Sequence, residues 1–216
     1  MNLLDDRVLS IEVIETGQDL ISIPDKHEKL VLDHDVELGY ENEFVARKGV
    51  VSRLIQAANR LPFGTCLSIK ETYRPKEFQE LIFNRRASRL SKLSEHSGKS
   101  ELDIHRLTSQ FIAPPEVAGH PTGGAVDVAL ITSDGNELDL GCNYDEDEQA
   151  SNGRCFSFST DISREAQKNR QVLFNCMRMA GFVNYPFEWW HWSYGDKYWA
   201  AVTGASNAIY GAIGRN

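Results

Sequence analysis

Apolar residues recur at helical spacing between residues 43 and 60, at Phe44, Val50, Val51, Leu54, Ile55 and Ala58. Pro62 and Gly64 end that run. Residues 65–73 then read as a strand that delivers Arg74. Residues 75–90 predict a second helix, with Pro75 in its first turn and Phe78, Leu81 and Ile82 on its inner face. A third helix is expected over 162–180, entered from Thr160 and Asp161 and closed by Gly181. Its inner face would use Ile162, Ala166, Leu173, Cys176 and Met177. Strands are expected at 8–14 (an edge strand with weak alternation), 125–132, 137–140 and the aromatic run 182–192. The middle two would join through Ser133, Asp134, Gly135 and Asn136, a turn composition. Residues 91–119 are polar and then irregular. The pattern predicts an α+β fold, a single domain over 1–216 whose antiparallel or mixed central sheet carries the helices.

Composition narrows the class. A chain of 216 residues buries roughly 70% of its unfolded surface, enough for one core without staples. Hydrophobic content of 41% and charged content of 25% are those of a globular protein. A net charge of -8 argues against nucleic acid as the main partner. The first residues lack the positive start and continuous apolar stretch of a signal peptide. No segment approaches the ~20 apolar residues of a membrane span. Both observations point to the cytoplasm and to no membrane partner. The four cysteines show no C-x-x-C spacing; Cys142 and Cys155 could pair across a loop, but reduced thiols are expected. The cluster Arg85, Arg86, Arg89 and Lys92 reads as a solvated helix face, with a lid as the functional alternative, and the acidic run 145–148 as a solvated loop.

Two short segments carry candidate chemistry. His120 and Asp127 are separated by a Gly123-Gly124 pair, and Glu188 and His191 lie in an aromatic frame about sixty residues later. Catalytic zinc takes three protein ligands of the His and carboxylate type and leaves a position open, while a further carboxylate takes a proton from water. Two imidazoles and two carboxylates are enough for that. A strand would put residues seven apart on opposite faces, so the glycines must turn the chain before Asp127 enters a buried strand among Val126, Val128 and Leu130. Glu188 and His191, three apart, share a face on a helix but not on a regular strand, so Glu188 must sit at an irregular entry or a bulge. A helical Glu-x-x-His of the di-iron kind needs a second such motif, which this chain lacks. A carboxylate within an apolar run is costly to bury unless paired or metal-bound, which applies to Asp127 and Glu188 alike. His27, His34, His96 and His105 lie in polar stretches and are read as ordinary surface residues.

The segments H-P-T-G-G-A-V-D, G-F-V-N-Y-P-F-E-W-W-H-W and E-T-Y-R-P resemble the D-alanyl-D-alanine dipeptidases, zinc enzymes related to D-Ala-D-Ala carboxypeptidases and to the Hedgehog signalling domain. The resemblance runs from about Tyr40 to Trp199. It implies a fold of that type, one zinc held by His120, Asp127 and His191, and Glu188 as the general base. It also implies that Arg74 stabilises the oxyanion and that Asp145 holds the free amino group of a dipeptide substrate. Trp189, Trp190 and Trp192 would line the site. One departure concerns specificity: relatives carry serine just ahead of the first zinc histidine, whereas Ala118 and Gly119 precede His120 here. A D,D- or L,D-carboxypeptidase on longer cell-wall peptides is the alternative within enzymes, and a non-catalytic zinc-bearing binding module the alternative outside them. A binding module needs neither a base at Glu188 nor an oxyanion cation at Arg74, which favours the enzyme.

Overall fold

The computed structural model describes residues 1–24 and 27–214. A one-turn helix α1 (Asp6–Leu9) is followed by β1 (Leu20–Ser22) and β2 (Leu30–Leu32). β3 (Val45–Arg47) runs directly into α2 (Lys48–Ala58), and β4 (Thr65–Glu71) leads into α3 (Lys76–Ser91). α4 (Glu101–Thr108) precedes β5 (Ala125–Thr132) and the short α5 (Glu148–Ser151). α6 (Arg164–Met179), β6 (Val183–Asn184), β7 (His191–Ser193) and α7 (Lys197–Thr203) complete the order.

Five strands form one mixed sheet in the order β2-β4-β5-β7-β6, parallel only between β2 and β4. β1 and β3 form a separate antiparallel pair. The fold is α+β, as the pattern predicts. β5 is buried from Ala125 through Ile131, so both of its faces are covered and its sequence is an apolar run broken by one carboxylate. Leu67 and Ile69 of β4, Leu130 of β5, Leu54 of α2, and Leu173 and Met177 of α6 are almost wholly enclosed around it. Each such side chain contributes about 1.5–3 kcal/mol of burial.

The register of this sheet brings the site together. Glu71 lies opposite Asp127 across β4 and β5, and Asp127 opposite His191 across β5 and β7. A register shift between Ile69 and Glu71 marks where β4 bends toward the site. Buried Arg47 fixes the turn that carries His120: its Nε donates to the Thr122 carbonyl at 2.8 Å and its backbone N–H to the Gly123 carbonyl at 3.0 Å. Gly123 sits at φ 68, and a Cβ there would lie 2.4 Å from the Leu20 side chain. Only glycine fits that turn.

Several expected elements differ. Residues 8–14 are not a strand: Asp5 caps α1 by accepting the Arg7 N–H, and Val13 makes a lone bridge to Ala208. The helix expected from residue 43 begins at Lys48, because the preceding residues pair with β1. On α3 the buried residues are Gln79 and Phe83, while Leu81 is exposed. The irregular stretch 91–119 contains α4, whose start is a capping box between Ser100 and Asp103, a signal present in the sequence. Residues 137–140 pair with β5 only at Glu137 and Leu138, after which Asp139 accepts the Gly141 N–H and turns the chain away. The aromatic run 182–192 is two short strands with a turn between them, not one strand. All four cysteines are free. Arg86 is half-buried against Phe111 and Asp147, and Asp147 caps α5, so neither charge run is merely solvated.

Candidate metal and catalytic site

His120 lies in the 3-10 turn His120–Thr122, and Asp127 and His191 on neighbouring strands. One ligand atom from each lies within 4.8 Å of the other two. His120 Nδ1 is 2.6 Å from the Thr72 carbonyl, an acceptor, so its proton sits there and Nε2 presents a lone pair. That Nε2 faces Asp127 Oδ1 at 3.3 Å, and His191 Nδ1 faces the same oxygen at 3.0 Å. Two acceptors, His120 Nε2 and Asp127 Oδ1, therefore face each other at one buried point with His191 Nδ1 against the same oxygen, an arrangement that a divalent cation satisfies. Two imidazoles and a carboxylate are a donor set suited to zinc. The other Asp127 oxygen, Oδ2, accepts the Tyr144 hydroxyl at 3.0 Å, which holds the carboxylate in orientation. Burial opposes its charge, but the two imidazoles hold the Asp127 carboxyl well below the usual range.

Glu188 lies in the turn before β7, where its N–H reaches the Tyr185 carbonyl and its own carbonyl accepts the His191 N–H at 3.3 Å. Asn184 Nδ2 also donates to the Glu188 carbonyl, at 3.1 Å. This irregular entry brings Glu188 Oε2 to 4.0 Å from His191 Nδ1. Burial, with the nearby charges of Asp127 and Asp145, pushes the Glu188 carboxyl well above its ordinary value, so it is poised to hold a proton.

Arg74 follows β4 and is held by three contacts. Its Nε and Nη2 donate to Glu71 at 2.6 and 2.7 Å, and its Nη1 donates to Gln79 Oε1 at 2.8 Å. Gln79 Nε2 in turn donates to the Ala113 carbonyl at 2.7 Å. Glu71, 2% exposed, also accepts the Tyr40 hydroxyl at 2.7 Å. Burial opposes both charges, yet Arg74 holds the Glu71 carboxyl below its ordinary value, and Glu71 raises the guanidinium further. Of five guanidinium N–H groups three are engaged, leaving one on each terminal nitrogen.

Arg74, His120, Asp127, Asp145, Glu188 and His191 all border one cavity. Asp145 sits at its open side in a left-handed conformation at φ 62, which aspartate tolerates better than most residues. Surrounding protein atoms, then Asp127 and Glu71, raise its carboxyl to about 6. Trp190 lines the cavity, but Trp189 and Trp192 do not: Trp189 turns its Nε1 to Cys142 Sγ and Trp192 packs on Phe174 in the core. Glu71, Gln79 and Tyr144 complete the site without any motif to mark them. The signal for Glu71 lies in the register, since it faces Asp127.

The D-ala-D-ala dipeptidase family model matches residues 32–205. A D-alanyl-D-alanine dipeptidase of Synechocystis sp. is 28% identical over 218 aligned residues, covering 89% of this chain and 88% of that protein. One from Enterococcus faecalis is 27% identical over 74% of this chain and 78% of its own length. A vancomycin-resistance D,D-pentapeptidase solved in complex with Zn(II) superposes with a TM-score of 0.41 at 16% identity, covering 87% of this chain and 90% of its own. At that score the likeness carries nothing about the site. The family model spans most of the sequence, and the chain belongs to the D-Ala-D-Ala dipeptidase family.

Proposed function

We propose that this protein is a zinc-dependent dipeptidase that hydrolyses D-alanyl-D-alanine or a closely related D-residue dipeptide in the cytoplasm. The observation that carries the reading is the convergence of His120, Asp127 and His191 on one point, with Glu188 beside it and Arg74 on the same cavity. His120 through Nε2, Asp127 through Oδ1 and His191 through Nδ1 would hold the metal. Bound there, zinc supplies a Lewis acid for the scissile carbonyl and makes water acidic, with a pKa of about 7 in sites of this kind.

Glu188 takes the proton from the attacking water and passes it to the departing amine. Its raised proton affinity suits both halves of that transfer. Arg74 donates its two unengaged N–H groups to the carbonyl oxygen as charge builds there, and the Glu71 and Gln79 contacts fix its aim in advance. Asp145, at the open side of the cavity, pairs with the free ammonium of the substrate. An anchored amine favours dipeptides over the carboxypeptidase alternative, since a longer peptide has no ammonium at that position. No helix among the described residues is long and apolar enough to cross a membrane.

Asp145→Ala tests the dipeptide reading. KM for free D-Ala-D-Ala is expected to rise by about 10- to 100-fold, as for the loss of a charge-assisted hydrogen bond of about 1.5–3 kcal/mol. An N-acetylated dipeptide, which lacks the ammonium, should be unaffected. An equal change for both substrates would remove the amine anchor and favour the carboxypeptidase.

A further inference from the structure

The two metal-facing histidines are braced differently. His120 gives its second ring N–H to a backbone carbonyl, Thr72. His191 faces Asp127 through Nδ1; with zinc on that nitrogen its proton would sit on Nε2, which lies 3.5 Å from Ser193 Oγ. A ligating histidine normally donates this N–H to an acceptor that fixes the ring and raises its basicity. Ser193, two residues along β7, projects to the same face as His191. A hydroxyl that accepts has its own proton to give, and Ser193 Oγ and Asp196 Oδ2 both border the space beside Gly119.

Asp196 is 1% exposed. Its Oδ1 caps α7 by accepting the Trp199 N–H at 2.7 Å, while its buried Oδ2 has no hydrogen-bond partner of normal geometry. A buried carboxylate oxygen without a donor is costly, and the cap needs only one oxygen. The absence of a side chain at residue 119 leaves room for the other: a Cβ on Gly119 would sit 2.4 Å from Asp196 Oδ2 and 3.4 Å from Ser193 Oγ. Gly119 immediately precedes His120, so the chain keeps this space open beside both histidines.

We propose that Asp196 is a positioning residue for the metal: through Ser193 it holds His191 with Nδ1 turned to the zinc, and its negative charge offsets that of the loaded site. The inference rests on the reading that His120, Asp127 and His191 hold zinc. It adds a chain from His191 Nε2–H to Ser193 Oγ and from Ser193 Oγ–H to Asp196 Oδ2.

Asp196→Asn separates the two jobs of this side chain, because the amide oxygen still caps α7 while the second oxygen becomes a donor. Zinc affinity, measured by competition with a chromophoric chelator, is expected to fall by about 10- to 100-fold. The melting temperature of the metal-free protein should stay within a few degrees of wild type. Ser193→Ala, which touches no cap, should weaken zinc to a similar degree, and the double variant should be little worse than either single one. Wild-type zinc affinity in a folded Asp196→Asn or Ser193→Ala protein overturns the proposal while leaving the metal site intact. A rise in KM alone, with zinc affinity unchanged, also overturns it, by making Oδ2 a substrate contact. Failure of the wild-type protein to take up zinc would instead reject the metal site itself, and the proposal with it.

Discussion

Glu188→Ala is expected to lower kcat by about 100- to 10,000-fold while leaving one zinc per chain in place. The side chain stands next to the metal-facing cluster without joining it. Its Oε2 lies 4.0 Å from His191 Nδ1, against 3.0 and 3.3 Å for the carboxylate that faces both histidines. Glu188 is also a costly residue for the fold. It is 9% exposed, and burial together with the charges of Asp127 and Asp145 disfavours its ionised form. Removing it relieves that repulsion, so the metal-free variant should melt no lower than the parent. Lost turnover with retained stability and retained zinc is the signature of a group kept for chemistry. Retention of more than a tenth of the activity would exclude Glu188 as the base. Loss of zinc would make it a ligand.

Arg74→Ala is expected to damage both stability and rate. Its Glu71 partner is enclosed, with two of its hydrogen bonds coming from the guanidinium. Breaking a buried pair from one side costs about 3–5 kcal/mol, because the remaining charge is left without its partner. The rate should fall by about 100- to 1,000-fold, as for the loss of one aimed oxyanion donor. Arg74→Lys keeps the charge but not the fork, so it should recover part of the stability and little of the rate. Assays well below the melting temperature of each variant separate the two effects. A stable, fully active Arg74→Lys protein would show that only a positive charge is needed, not directed donors.

The site was partly legible because its most conspicuous residues are local in sequence. The histidine and carboxylate segments can be read as ligands and base since their residue types have few inexpensive uses inside an apolar frame. Asp127 is an example, a single carboxylate in the run Val126 to Leu130. Glu188 posed a geometric problem that strand periodicity could not solve, and the turn at residues 185–190 solves it. Glu71, Gln79, Tyr144, Ser193 and Asp196 carried no such mark. Their contributions come from pairing across the sheet and from loops that meet far apart in sequence, as Glu71 meets Asp127 across β4 and β5. Gln79 on α3 shows the same limit: helical spacing favoured Leu81 as an inward residue, but the need to hold Arg74 and the Ala113 carbonyl buries an amide in its place. Trp189 and Trp192 erred in the other direction. Their position beside the motif predicts them in the site, whereas Trp189 faces Cys142 and Trp192 faces Phe174 in the core.

The most direct test of the zinc dipeptidase reading is hydrolysis of D-Ala-D-Ala by protein loaded with one zinc per chain, run beside a chelated sample and an N-acetylated dipeptide. Cleavage of the free dipeptide is expected to disappear on chelation, to return with zinc, and to be far weaker on the acetylated substrate. A protein that holds one zinc and cleaves neither this dipeptide nor related D-residue dipeptides would contradict it, and would leave a zinc-bearing binding module.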